Sequence, residues 1–200
     1  MNKQTNAVTD ILLFLVVFFL IQLATTLIAD AISMMMSGFD TQLILQKLAH
    51  GQMALDGKFL AFSSVLASLI TIVLFARLKW SPYSNQYLRS KPWVVLVWVV
   101  LLALGTIIPS QWLQEQLNLK MPTSMEQMFF AIMKEPWGYA AIGILAPIAE
   151  EMVFRGAVLR RLLSLFNSKR PWLPIVLSAV VFGAFHLNWA QFTHATLIGI

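Results

Sequence analysis

Two adjacent carboxylates near the C-terminal end of the chain are the residues whose position most strongly suggests chemistry. Glu150 and Glu151 follow an uncharged stretch, 137–149, and Arg155 comes four residues after Glu151. An ionisable side chain at the centre of a membrane helix costs roughly 2.5–3.5 kcal/mol on insertion scales. A chain that accepts two such groups side by side is predicted to use at least one of them.

The two glutamates are predicted to differ because helical spacing gives them different neighbours. Glu151 and Arg155 share one helix face, in the order that favours an ion pair. The corresponding positions for Glu150 hold Val153 and Phe154, so Glu150 has no partner on its own helix. Paired carboxylates in different environments take different roles. We therefore expect Glu151 to be structural and Glu150 to be the reactive group.

The alternative interpretation is a charge cluster at the cytoplasmic edge of the membrane, where Arg160 and Arg161 would balance the glutamates. Helix geometry argues against this for Glu150, which lies ten residues before Arg160. The helical rise places it about 15 Å into a hydrocarbon core about 30 Å thick. Glu150 is therefore predicted to lie deep in its span.

Histidines on the two following apolar segments are the next candidates. By the same rise His186 is about 22 Å from Pro171, close enough in depth to Glu150 for two long side chains and one bridging water. A Glu and a His facing one another in a hydrated pocket would form a general-base pair that activates water for attack on a carbonyl. His194 begins the last apolar segment and fits either a catalytic or an interfacial histidine.

The same side chains could also belong to a metal site or to another class of hydrolase. A Glu and a His supply two ligands, and catalytic zinc takes at least one more, for which His194 is the nearby candidate. The H-E-x-x-H motif of zinc proteases and the G-x-S-x-G motif of serine hydrolases are both absent from the sequence. We therefore expect no metal and no cofactor, with zinc kept as the alternative.

Composition indicates an all-α membrane bundle. The 200-residue chain is 58% hydrophobic and 12% charged, with a mean hydropathy of +0.74, whereas soluble domains carry about 25% charged residues. The absence of cysteine excludes thiol nucleophiles, thiolate metal sites and disulfides. The net charge of +5 comes from cations beside apolar runs, which is typical of membrane orientation rather than nucleic-acid binding.

Six apolar runs are predicted to cross the membrane as helices, in a single membrane domain over residues 1–200. They are Ile11–Ala29, Phe59–Ala76, Trp93–Ile108 between two prolines, Trp137 to about Leu159, Trp172–Leu187 and Ala190–Ile200. The longer connections, 31–58 and 110–136, are predicted to form interfacial helices or loops. Because the sixth run stops without a polar flank, we expect a fragment of a longer protein.

Lysine and arginine collect in alternate loops, which predicts the orientation. The loops between spans two and three and between spans four and five hold basic residues and no acidic ones: Arg77, Lys79, Arg89 and Lys91, then Arg160, Arg161, Lys169 and Arg170. The positive-inside rule then places the N-terminus in the cytoplasm. We expect an integral protein of a bacterial cytoplasmic membrane.

Two motifs in order on consecutive spans resemble the CAAX-protease and bacteriocin-processing family of intramembrane proteases, also called the CPBP or Abi family. The first is E-E-x-x-x-R at 150–155, and the second is F-x-x-x-H at 182–186. The pattern F-x-x-A-x-x-x-G at 192–199 also resembles the family. The resemblance covers about 140–199, within a protease-like core over 137–200.

The resemblance implies an α-helical intramembrane endopeptidase in which Glu150 and His186 activate water and Arg155 holds Glu151. A later helix with an H-x-x-x-N/D motif is implied to stabilise the oxyanion. No such motif is present, which agrees with the expected truncation after Ile200 and puts the activity of this piece in doubt. Members have been labelled metalloproteases, whereas the residues of this chain favour a metal-independent mechanism.

The implied partners are membrane lipid and a peptide or protein substrate, either lipidated or membrane-bound, such as a prenylated CAAX peptide or a bacteriocin precursor. Two other functions remain open. The first is a non-proteolytic membrane protein for bacteriocin immunity or regulation, which the resemblance permits. The second is a proton-coupled transporter, since intramembrane carboxylates often relay protons; the internal repeats of many transporters are not visible here.

Overall fold

The computed structural model describes residues 3–50, 56–82, 93–166 and 172–200, with side chains from residue 6 onward. In these ranges the chain is helical and contains no strand, which confirms the predicted α-helical membrane bundle. The helices are α1 (Lys3–Met36), α2 (Thr41–Ala49), α3 (Gly57–Arg77), α4 (Trp93–Gln116), α5 (Thr123–Met133), α6 (from Gly138 to Leu165), α7 (Trp172–Ala184) and α8 (Trp189–Gly199).

Three of these helices are long and apolar enough to cross a membrane, namely Asn6–Met36 within α1, α3 and α4. They match the first three predicted spans. The fifth predicted span is shorter than expected, because α7 has 13 residues and a length of about 20 Å by its rise. The connections predicted as interfacial helices or loops contain α2 and α5.

The predicted end of the third span at Ile108 is wrong, because α4 continues through Pro109 to Gln116. A proline inside a helix removes one backbone hydrogen bond. Membrane helices tolerate this loss where neighbouring groups satisfy the freed backbone. Ser110, the next residue, is buried and hydrogen-bonds His194 of α8, so this part of α4 is held by a neighbour.

Helix α6, which carries the paired glutamates, is not a regular α-helix. It consists of α segments at Gly138–Ala140, Ala146–Glu151 and Arg160–Leu165, separated by π segments at Ala141–Leu145 and Met152–Leu159. The first π segment has a local cause, since Pro147 lacks an N–H and its ring clashes with the carbonyl four residues earlier. The glutamates therefore end a short α segment between two widened turns.

The core between α1, α3 and α6 is aromatic. Phe14 and Phe18 of α1, Phe75 of α3 and Phe154 of α6 are all buried within one cluster. The ring of Phe154 packs edge-on against Phe18 with centroids 5.8 Å apart. This packing fixes the α6 turn that begins at Glu150 against α1.

Helices α7 and α8 form an antiparallel hairpin. Gly183 of α7 lies against Phe192 and Thr196, and Ala179 lies against Gly199 near the other end of the hairpin. The predicted span ending at Leu187 is corrected here, because α7 ends at Ala184 and Leu187 has a φ of +56°. His186 is thus in the turn rather than inside a helix.

Candidate active site

A cavity of about 270 Å³ lies between α1, α3, α6 and α7, and it is lined by both Glu150 and His186. The two side chains come from elements 36 residues apart in sequence. The remaining lining residues are mostly aromatic and polar: Phe18, Phe19, Gln22, Ser64, Ser68, Ala146, Phe154, Phe182 and Phe185. The fold thus brings to one cavity the Glu and His that the sequence predicts to face one another.

Glu150 is held by its backbone rather than by a polar contact. Its side chain makes neither a hydrogen bond nor an ion pair with any residue that the structure describes. Phe154, one turn later, is fully buried against Phe18 and Phe185, with the latter centroid 5.4 Å away. This arrangement leaves the carboxylate available to a molecule in the cavity.

Glu151 forms the ion pair that the spacing predicted, with 3.1 Å between its Oε1 and Nη1 of Arg155. The pair lies near the surface, since the Glu151 side chain is 58% exposed and that of Arg155 is 25% exposed. Arg155 also lies over the ring of Phe182 on α7, 4.5 Å from its centroid. Arg155 therefore ties α6 to the helix that leads to His186.

The orientation of the His186 ring follows from one hydrogen bond. Its Nδ1 lies 3.1 Å from the backbone oxygen of Phe182. Because a carbonyl oxygen can only accept, Nδ1 carries the hydrogen and donates it, which leaves Nε2 as the other ring nitrogen for a ligand. The ring also packs edge-on against Phe182, with centroids 5.1 Å apart.

His194, the third candidate, does not line this cavity. Its Nδ1 hydrogen-bonds Ser110 of α4 at 2.6 Å. It lines a second cavity of about 500 Å³ between α4, α5 and α8, together with Gln114, Glu126 and Gln191 among others. The fold therefore separates His194 from the Glu150 and His186 cavity, and a catalytic role for it remains a prediction.

Three polar residues of the cavity were not identified from the sequence. Gln22 lies on α1, and Ser64 and Ser68 lie one turn apart on α3. Ser68 donates a hydrogen bond to the backbone oxygen of Ser64 at 2.7 Å. In the sequence all three are polar residues within predicted membrane spans. That polarity is a signal, but it does not show which of them face the cavity.

The donor set does not fit a catalytic zinc. Glu150 and His186 supply two ligands, and catalytic zinc takes three from the protein. Nowhere in the described ranges do three His, Asp or Glu side chains come close enough together to hold a metal ion.

A sequence model of the family "Type II CAAX prenyl endopeptidase Rce1-like" matches residues 132–200. Over these residues the chain is similar to the CAAX-protease family. The match runs from the end of α5 through α8, and so includes Glu150, Glu151, Arg155 and His186. It covers about a third of the chain. No curated protein and no solved structure gives a significant match.

In this CAAX-protease-like chain, the matched residues supply only part of the cavity lining. The α6 and α7 walls, with Glu150 and His186, lie inside the matched residues, whereas the α1 and α3 walls, with Gln22 and Ser64, lie outside them. At the family level the match supports a membrane endopeptidase of the CAAX-protease type. Together with the three long apolar helices, it also supports an integral membrane protein.

Proposed function

We propose that this protein is an intramembrane endopeptidase that hydrolyses a peptide bond with water activated by Glu150 and His186. The observation that carries the proposal is that these two side chains line one cavity although one comes from α6 and the other from the turn after α7. The polar groups come from α1, α3, α6 and the turn after α7, which suits a bound water, and the phenylalanine rings between them suit an apolar substrate group.

In the proposed mechanism, a water between the two side chains loses a proton to the Glu150 carboxylate as its oxygen attacks the peptide carbonyl. Nε2 of His186 accepts a hydrogen bond from this water or, when protonated, donates one to the oxygen that becomes negative. Glu150 then returns its proton to the leaving amine as the C–N bond breaks. Atoms and charges balance, with water as the only co-reactant.

The supporting residues act through position. The ion pair with Arg155 keeps Glu151 away from the cavity and so leaves one carboxylate for catalysis. The stacking of Arg155 on Phe182 fixes the backbone oxygen to which His186 donates. A transporter or an immunity protein would not require this second arrangement, because neither depends on orienting a histidine toward a bound carbonyl.

For the substrate we propose a membrane-bound peptide that carries a lipid near the cleaved bond, as the name of the matched family suggests. Aromatic walls supplied by Phe18, Phe182 and Phe185 would contact apolar groups next to that bond. The loop charges predict that the N-terminus is in the cytoplasm. In a bacterial membrane this orientation would make the site accessible to proteins on the cytoplasmic side.

The proposal is tested with the full-length protein reconstituted in liposomes and a prenylated CAAX-type peptide as substrate. Glu150→Gln should lower kcat by about 10²–10⁴-fold, the range for loss of a general base. Glu115→Gln, the same change at an exposed position on α4, should leave kcat unchanged. Unreduced cleavage by the Glu150 variant contradicts the proposal. Equal cleavage of prenylated and unmodified peptides contradicts only the lipidated substrate.

A further inference from the structure

A third pocket, which is basic and has a volume of about 310 Å³, lies at the end of the bundle where α1 begins and α3 and α6 end. Three cationic side chains line it, Lys79 from the turn after α3 and Arg160 and Arg161 from α6, together with Phe14 and Trp80. It shares no lining residue with the cavity that contains Glu150. The proposed hydrolysis makes no use of it.

The turn that carries Lys79 is an unusual place for a lysine. After α3 the chain folds back on itself, with the N–H of Lys79 donating to the backbone oxygen of Ala76 and that of Trp80 to Phe75. Lys79 has a φ of +56°, a conformation that costs about 1–2 kcal/mol in a residue with a Cβ and is usually given to glycine. The chain thus has a lysine at a position where glycine would be unstrained.

The same turn is held firmly against its neighbours. The ring of Trp80 packs against Phe14, with centroids 4.9 Å apart, and against Phe75 at 5.1 Å. Ser81 lies directly on Gly156 of α6, where an added Cβ would lie 2.8 Å from the Ser81 Cβ. The position of Lys79 relative to α6 is therefore fixed before any ligand binds.

The charges of the pocket are incompletely balanced. Arg161 forms an ion pair with Asp10 of α1. Neither Lys79 nor Arg160 has a carboxylate within ion-pair distance among the residues that the structure describes. Three cations and one anion leave a net charge of +2 beside an apolar floor formed by Phe14 and the Trp80 ring. Anionic amphiphiles match this combination.

We propose that this pocket binds the phosphate group of an anionic phospholipid, with Lys79 and Arg160 on the phosphate and the acyl chains along the apolar side. A lipid is favoured over a free phosphate because the pocket lies at the end of the apolar bundle, next to Trp80. Tryptophan is enriched at the membrane interface, where lipid headgroups lie. Basic pockets between membrane helices recognise anionic headgroups in this way.

Native mass spectrometry of the full-length protein, titrated with phosphatidylglycerol or phosphatidylcholine, tests the proposal. The test variant carries Lys79→Gly and Arg160→Gln, since glycine retains the turn without strain. The control carries Lys120→Gln and Lys134→Gln at the other end of the bundle. Two lost cations at about 1 kcal/mol each should weaken phosphatidylglycerol binding by about thirty-fold, and the control should bind like the wild type.

Three results would overturn the proposal. The first is equal affinity of the test and control variants for phosphatidylglycerol. The second is equal affinity of the wild type for phosphatidylcholine. The third is displacement of the lipid by inorganic phosphate alone, with the same thermal stabilisation, which would assign the pocket to a soluble ligand. Thermal unfolding of the Lys79→Gly single variant checks the fold, and this variant should be at least as stable as the wild type because it relieves the positive φ.

Discussion

Gly183 offers a sharp test of the packing that positions His186. A Cβ added there would lie 2.7 Å from the backbone oxygen of Phe192, whereas ordinary contacts begin at 3.4 Å. The α7–α8 hairpin would have to open by the difference, 3.4 − 2.7 = 0.7 Å, because backbone atoms cannot rotate away. Overpacking of this kind costs about 1–3 kcal/mol.

The same opening would move His186, three residues later in the chain. A misplacement of about 1 Å at a catalytic group can lower the rate about a hundred-fold. We therefore expect Gly183→Ala to lower kcat about ten-fold or more in the liposome assay, with a lower thermal unfolding temperature. Gly183→Ser should be at least as severe, because its side chain is larger.

Gly105→Ala is the matched control, since a Cβ at Gly105 of α4 has nothing within 4 Å. Alanine favours helix over glycine by up to about 1 kcal/mol, so this variant should equal or exceed wild-type stability and retain wild-type kcat. A Gly183→Ala protein with wild-type kcat and wild-type stability would refute the reasoning about the hairpin.

Three further predictions concern the walls of the cavity. Arg155→Leu should destabilise the fold more than Glu151→Gln, as measured by thermal unfolding. Both variants lose the exposed ion pair, which contributes about 0.2–1 kcal/mol. Only the Arg155 variant also loses the stacking on Phe182, which adds about 0.5–2 kcal/mol. Gln22→Leu should lower kcat about ten-fold, the value of one hydrogen bond to a bound water. The chain has no cysteine, so a variant with Glu150→Cys and His186→Cys would contain only these two thiols. A short thiol cross-linker should join them in membranes, which a shift in gel mobility would detect.

The Gln22 and cross-linking predictions each have a control that uses a residue of the cavity containing His194. Gln114→Leu removes an equivalent amide next to His194 and should leave kcat near the wild-type value. Glu150→Cys with His194→Cys should resist the same cross-linker. Cross-linking of both pairs to the same extent, or equal destabilisation by the Arg155 and Glu151 variants, would contradict the geometry described above.

The part of the site that could be predicted from the sequence is the part that depends on local spacing. The four-residue spacing on a helix correctly predicts the ion pair of Glu151 with Arg155. Helical rise sufficed to place Glu150 and His186 at similar depths, and the family motifs supplied the same two residues. The ion pair forms although π segments interrupt α6, whereas His186 lies beyond the end of α7, where helical rise no longer gives its depth.

The remainder depends on contacts between distant segments, which spacing does not encode. To predict that Gln22 and Ser64 line the cavity, one would need to know which faces of α1 and α3 contact α6. Pro109 predicts a helix end by its local chemistry, whereas α4 continues to Gln116 and Ser110 hydrogen-bonds His194 across the bundle. His186 lies in a turn because Asn188 caps α8, accepting the N–H of Gln191 at 2.9 Å.

A kinetic double-mutant cycle at Glu150 and His186 tests the central claim most directly. If the two side chains activate one water together, Glu150→Gln, His186→Gln and the double variant should all lower kcat by nearly the same factor, because residues that act as a unit are not additive. The cycle is measured with the full-length protein in liposomes. Additive effects, in which the double variant loses the product of the two single factors, would contradict a shared catalytic water.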